Sequence, residues 1–337
     1  MWNDTTSKQR ILKCAAAVLY VFCLILIGVR QSPAQTNNAQ VPQPTEARIL
    51  LTAVDNNGRF VSTLRADDLS VLVDGVPQKI DGFRRLTDRL LSLAILIDTS
   101  GSQERTLPGQ KLAANSFVDF VFRPGMDRAA IATFTGTFTL EQKLTQDVTL
   151  LHQAIERVKF IPPQGYIGGG IVVSKQPPIS TSAAAAAGST ALWDAVIAAC
   201  DEALSQSTSE TRRGIILLSD GQDTFSKNKM SAAVDRAVRD DVVIYGIGIG
   251  DKAFGVNKDG LRKLTERTGG RSFFPTTVGE LTGILAEIGL ELRTQYSITY
   301  SPPNGQGSSG KIRIEIVNPD LRKAEVRLFY QQSVPRK

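Results

Sequence analysis

The chain has 337 residues, of which 42% are hydrophobic and 21% charged. This composition excludes a disordered polypeptide and leaves room for two domains with a large buried core. The formal charge of +6 falls to +3 once the first 34 residues, with Lys8, Arg10, Lys13 and Arg30 against Asp4, are set aside; the remaining basic residues are scattered, without a run or an interleaved aromatic platform, which argues against nucleic-acid binding.

Residues 1–34 read as an export signal. Lys8, Arg10 and Lys13 precede the apolar run Cys14–Val29, and Ser32-Pro-Ala34 offers small residues for cleavage before Gln35. As a helix, that run would span about 24 Å, short of the roughly 30 Å hydrocarbon core. Cleavage is therefore expected, and membrane contact only if the segment stays attached. The expected location is periplasmic, cell-surface or secreted. Neither Cys14 nor Cys23 follows the Leu-small-small pattern of a lipoprotein site. Removal of the segment leaves Cys200 alone, so an intrachain disulfide and a cysteine-rich zinc site are both excluded. Cys200 shares a helical face with Leu192 and Val196, which predicts a small core residue.

Residues 35–45 form a polar, proline-bearing linker. From 46 to 88 the pattern is β. Arg48–Val54 leads to the turn Asp55-Asn-Asn-Gly58, and Leu69–Val73 leads through Asp74-Gly75 to Val76–Ile80. The Asp55 turn lacks the remaining ligands of a calcium loop and reads as a plain turn.

Residues 89–293 alternate strand and helix. Apolar runs at Leu91–Ile97, Ala129–Phe134, Ile215–Leu218 and Val242–Ile249 predict strands. Lys111–Phe122, Val148–Val158, Ala191–Leu204 and Met230–Val238 have helical spacing, and Leu281, Ile284, Leu285, Ile288 and Leu292 form one stripe. Such alternation predicts an α/β domain with a doubly wound, mostly parallel sheet. The segment Ile161–Gly188 is long for a loop in such a domain. It runs directly into Thr190, so it is expected to reach the rim of any site there, with Tyr166 and Ile167 as candidate partner contacts.

Residues 294–331 return to alternating β patterns at Gln295–Tyr300, Lys311–Val317 and Ala324–Tyr330. Neither β segment has enough strands to bury a face alone. The two are therefore expected to pair into one small β-sandwich-like module, with the α/β domain inserted between its halves.

The chemistry gathers at strand ends. Leu93–Ile97 runs into Asp98-Thr-Ser100-Gly-Ser102, Leu217-Leu-Ser runs into Asp220-Gly221, and Gly188-Ser-Thr190 opens a helical pattern. Hydroxyl and carboxylate oxygens on tight loops suit Mg²⁺, which prefers octahedral oxygen coordination. These three pieces, in this order, resemble the metal-ion-dependent adhesion site of von Willebrand factor type A domains. Gly269-Gly-Arg-Ser-Phe-Phe-Pro275, Arg293–Tyr300 and Asp68–Ile80 are similar to segments of a bacterial exported family related to that domain. The likeness spans roughly residues 46–330.

That resemblance implies a metal site made by Asp98, Ser100, Ser102, Thr190 and Asp220. The hydroxyls would bind directly, and the carboxylates directly or through water. The expected ion is Mg²⁺, with Mn²⁺ or Ca²⁺ as substitutes, and the expected partner is a protein supplying an Asp or Glu carboxylate. A structural or assembly role, in which the ion only holds the loops, is the alternative; a metal-dependent enzyme is the third. An enzyme is not expected. His152 is the single histidine, Gly246-Ile-Gly-Ile-Gly250 places Asp251 where a dinucleotide fingerprint needs glycine, and no P-loop occurs.

Overall fold

A computed structural model describes residues 47–332, apart from 88–89, 161, 163–165, 169–170, 173–187, 209–210, 252–254 and 302–309. The segment expected to be an export signal, the expected linker and most of the 161–188 loop therefore lie outside the described residues. Among the described residues no helix is long and apolar enough to cross a membrane.

Four strands open the fold: β1 Ala47–Val54, β2 Leu69–Val73, β3 Val76–Gln78 and β4 Ile80–Leu86. The Asp74-Gly75 turn joins β2 to β3 with φ of 50° and 81°. Two consecutive positive φ values match the twist of a two-residue hairpin, which is why Asp-Gly stands there. At Asp55, one carboxylate oxygen accepts the Asn57 and Arg59 amides, both at 2.9 Å, so this loop is a self-capped turn.

The α/β domain follows, comprising β5 Leu91–Asp98, α1 Leu107–Phe120, β6 Arg128–Phe134, β7 Phe138–Thr145 and α2 Val148–Arg157. Next come a short hairpin, β8 Tyr166–Gly168 with β9 Ile171–Val172, and α3 Leu192–Ala198, which loosens into a π-turn over Ala199–Ala203. β10 Arg212–Ser219, α4 Met230–Arg239, β11 Val242–Gly248, α5 Lys258–Arg267, β12 Ser272–Phe273 and α6 Val278–Arg293 complete it. The chain ends in β13 Gln295–Tyr300, β14 Ile312–Ile316, α7 Pro319–Lys323 and β15 Arg327–Tyr330.

The central sheet has the order β12-β11-β10-β5-β6-β7 and is parallel except for the edge strand β7. Alternate residues of its strands face two separate cores. Leu93, Ile95, Ile97, Ile216 and Leu218 meet Phe117 of α1, Ile155 of α2 and Ile288 of α6. Ala94, Leu96, Ile215 and Leu217 meet Val196 of α3, Val234 of α4 and Leu264 of α5. Burial on both faces explains why these strands are unbroken apolar runs in the sequence. The chain order reverses between β5 and β10, whose carboxyl ends therefore border the crevice where such sheets place ligands.

The outer strands pair across the insertion. β1 and β4 flank β13 in a four-stranded sheet of order β15-β1-β13-β4, and β14 joins β2 and β3 in a three-stranded one. Ile49, Leu51, Val71, Val73, Tyr296, Ile298, Ile312 and Ile314 fill the space between the two sheets. The α/β domain is thus inserted between two halves of one small β-sandwich. Tyr296 anchors it: its ring stacks on Phe60 and Phe83, and its hydroxyl donates to the Val61 carbonyl at 3.0 Å.

Several elements differ from the sequence expectation. α1 begins at Leu107 and not Lys111, because Pro108 is favourable in the first helical turn. α5 buries only Gly260, Leu261, Leu264 and Thr265, too narrow a stripe to stand out. α7 forms in the connection between two β segments, with the Asn318 side chain accepting the Asp320 amide and Pro319 opening the helix. Cys200 is a free, buried thiol, and burial pushes it up to about 12, the range of an inert core residue.

Candidate metal centre

Asp98 is the last residue of β5, and Asp220 follows the end of β10 at the neighbouring strand. Both side chains are fully buried. Asp98 Oδ1 accepts the Ser100 amide at 2.9 Å, which curls the loop back under its own strand end. Asp98 Oδ2 accepts the Ser219 hydroxyl at 2.6 Å, and Ser219 Oγ in turn accepts the Gly221 amide at 2.9 Å. One serine thus joins the two strand-end loops and fixes the first carboxylate.

The second carboxylate is bound across the crevice. Asp220 Oδ1 accepts the Gln222 amide at 2.9 Å, while Oδ2 accepts the Ser102 hydroxyl at 2.6 Å and the Gln103 amide nitrogen at 2.7 Å. Ser100 Oγ lies 3.4 Å from Ser102 Oγ. Four of the five expected residues therefore form one contiguous cluster.

Thr190 stands beside the cluster on its own loop. A Cβ built on Gly101 would lie 3.1 Å from the Gly188 carbonyl oxygen, so the 188–190 turn rests on the serine loop. The Thr190 amide donates to Thr224 Oγ1 at 2.9 Å, and its carbonyl accepts the amides of Thr224 and Phe225. Asp223 Oδ1 accepts the amides of Leu192 and Trp193 at the start of α3. Thr190 and Ser102 then share the wall of a cleft of about 270 Å³, together with Gly188, Gln222 and Thr224.

The electrostatics of this cluster are unbalanced. Asp98 is pushed up to about 7, first by burial and then by the negative charge of Asp220. Asp220 is also raised by burial, against the pull of Ser102, the Gln222 amide and Gln103. The largest influences on either carboxylate include no lysine or arginine. Two buried carboxylates beside the Ser100 and Ser102 hydroxyls form a hard-oxygen donor set, and a small divalent cation fits its charge and chemistry. Among the described residues no group of three or more His, Cys, Asp or Glu could hold a metal ion. Hydroxyls would have to complete the coordination here. His152, on α2, makes contacts with Asn115 and Asp119.

Gln103, Ser219, Asp223 and Thr224 support the cluster and were not singled out in the sequence. Ser219 and Asp223 stand one residue before and three after Asp220, so proximity to that carboxylate was the available signal.

With this geometry in view, comparison with known proteins is informative about the domain. Residues 179–287 match a family model described as von Willebrand factor type A domain. No curated protein matches the chain. Among solved structures, a conserved hypothetical protein, BatB from Bacteroides thetaiotaomicron, is 16% identical, covering 60% of this chain and 98% of its own, with a TM-score of 0.43. A von Willebrand factor type A protein from Catenulispora acidiphila is 14% identical over 74% of this chain and 71% of its own, with a TM-score of 0.46. Proximal thread matrix protein 1 from the mussel byssus, solved with a zinc-occupied adhesion-site motif, is 14% identical over 62% and 49%, with a TM-score of 0.45. The family match thus assigns residues 179–287 to the von Willebrand factor type A domain. The matched segment contains Thr190 and Asp220, and the Asp98–Ser102 loop precedes it.

Proposed function

We propose that this chain is an exported protein-binding module whose adhesion depends on a divalent cation held by Asp98, Ser100, Ser102, Thr190 and Asp220. The observation that carries the reading is the convergence of residues distant in sequence. Ser102 and Asp220, 118 positions apart, share a 2.6 Å hydrogen bond at the edge of an open cleft. The donor set is hard oxygen throughout, which favours Mg²⁺, with Mn²⁺ or Ca²⁺ as substitutes.

A cation bound there supplies a Lewis-acidic position facing the cleft, open to an Asp or Glu carboxylate of a partner protein. The chain's own residues do the rest. Ser219 and Gln103 hold the two buried carboxylates, the Thr224 and Asp223 contacts hold the Thr190 turn, and the cleft admits a side chain. Binding, and not turnover, is the proposed activity. The basic and apolar pattern of residues 1–34 supports export.

The test is a paired thermal-shift and retention assay on immobilised acidic peptides, with Mg²⁺, Mn²⁺, Ca²⁺ or a chelator. Cation should raise the melting temperature and permit retention in the native chain, and do neither in Asp98→Ala. A raised melting temperature without retention would reduce the ion to a structural role. Cation-independent behaviour of the native chain would end the reading.

A further inference from the structure

Beneath the proposed cation site lies a buried amide relay that the site's hydroxyls and carboxylates do not account for. Gln103 and Gln110 are both fully buried, Gln103 in the turn after Ser102 and Gln110 on α1. Gln103 Nε2 donates to Asp220 Oδ2 at 2.7 Å and to Ser102 Oγ at 3.1 Å. Its carbonyl oxygen accepts the Thr106 hydroxyl, and the Gln110 amide nitrogen at 2.7 Å.

The orientation of both amides follows from chemistry. An ionised carboxylate only accepts, so Gln103 must turn its nitrogen toward Asp220. Its oxygen then faces α1, and Gln110 must present its own nitrogen there. This leaves Gln110 Oε1 buried without a hydrogen bond among the described residues. A buried carbonyl without a donor is unfavourable, and an apolar side chain in place of Gln110 would avoid it. The relay accepts that penalty and in return fixes one N–H against Asp220. Local penalties of this kind gather where function constrains the structure.

We infer that Gln103 is a positioning residue for the cation site, holding the Asp220 carboxylate in register with the Ser102 hydroxyl through a relay buttressed by Gln110. The inference rests on the cation-binding reading above. Losing a group that orients a metal's ligand typically weakens metal affinity by 10- to 100-fold.

The test is Mn²⁺ titration by calorimetry, together with melting in chelator and in saturating Mn²⁺, on the full chain and three variants. Gln103→Met keeps the side-chain volume and removes the donor, and should weaken Mn²⁺ about 10- to 100-fold. Gln103→Glu keeps the acceptor for Thr106 and Gln110 and sets a third carboxylate against Asp220. It should melt lower in chelator and gain more from Mn²⁺ than the native chain does. Gln110→Leu removes the unsatisfied carbonyl and should melt no lower in chelator, while binding Mn²⁺ more weakly as Gln103 loses its support.

A lower melting temperature with native Mn²⁺ affinity in Gln103→Met would make Gln103 a packing residue and overturn the inference alone. If that variant does not fold, an unchanged Mn²⁺-induced gain in Gln103→Glu would overturn it in the same way. Failure of the native chain to bind any divalent cation would overturn both this inference and the reading beneath it.

Discussion

Arg271 and Glu291 are in direct contact where the inserted domain meets the β-sandwich. The carboxylate is fully buried, and the guanidinium lies between the rings of Phe273 and Phe329 at 4.8 and 5.1 Å while also reaching Glu287. Phe329 belongs to the last strand of the sandwich and Glu291 to the last helix of the domain, so the pair joins the two.

Burial pushes Glu291 up to about 7, although Arg271 pulls the other way. With the native value above the ordinary carboxylate value, the folded chain keeps a proton that the unfolded chain has released between about pH 4.5 and 7. Stability should therefore fall as pH rises through that window. Glu291→Gln keeps an acceptor for Arg271 and removes the titration. Urea melts at pH 5 and pH 7.5 should show a smaller difference in the variant than in the native chain; equal differences would contradict the assignment.

Ser219 connects two strand ends, so its loss should be felt at both. Ser219→Ala leaves Asp98 Oδ2 and the Gly221 amide without their shared partner, at a cost of about 1–3 kcal/mol in the cation-free protein. Divalent-cation affinity, read by calorimetry, should fall together with stability. A stability loss without any change in affinity would confine Ser219 to the fold.

Gly221 leaves no room for a side chain. Its φ is +76°, and a Cβ would lie 2.6 Å from Leu261 Cγ and 2.9 Å from the Asn257 carbonyl oxygen. Gly221→Ala combines a left-handed backbone, worth about 1–2 kcal/mol, with a clash against α5. Denaturant melts should show a loss above that backbone figure, and Asp220 should be displaced enough to weaken cation binding.

Asp223 caps α3 and steadies the turn that carries Thr190. Asp223→Ala should cost about 1 kcal/mol of stability, the usual value of a lost cap. Amide exchange should rise at Leu192 and Trp193 ahead of the rest of the domain. Uniform protection in the variant would show that Ser226, which also accepts the Trp193 amide at 3.0 Å, is sufficient.

Deleting residues 311–337 removes β14 and β15, one strand from each sheet of the sandwich. Leu51 and Val71, buried in the native chain, would lose their cover. The truncated chain should aggregate, or melt in two transitions where the native chain melts in one, as judged by light scattering and calorimetry.

The sequence announced these features unevenly. The strands of the central sheet were legible because burial on both faces demands unbroken apolar runs, as in Leu93–Ile97 and Ile215–Leu218. Asp98, Ser100, Ser102 and Asp220 were legible because they stand at the ends of those runs, where parallel sheets expose their ligand crevice. α5 was not, since only a few of its residues face the core. β7 was also missed: it is an edge strand with most of its residues only partly buried. The relay through Gln103 and Gln110 was hidden for a different reason. A glutamine on a helix reads as solvated surface until packing brings a carboxylate beside it.

Leu86 pairs with Gln295 where β4 meets β13. These two residues bracket the whole α/β domain, yet they sit opposite each other in one antiparallel ladder. As an open coil, the intervening segment would impose a long loop closure on the sandwich, which makes such distant pairing slow. Once the domain has formed, its two ends emerge side by side and the closure is already made. The small sandwich should thus form after its insert, and a lesion in the central sheet should leave β4 and β13 unpaired in the nascent protein.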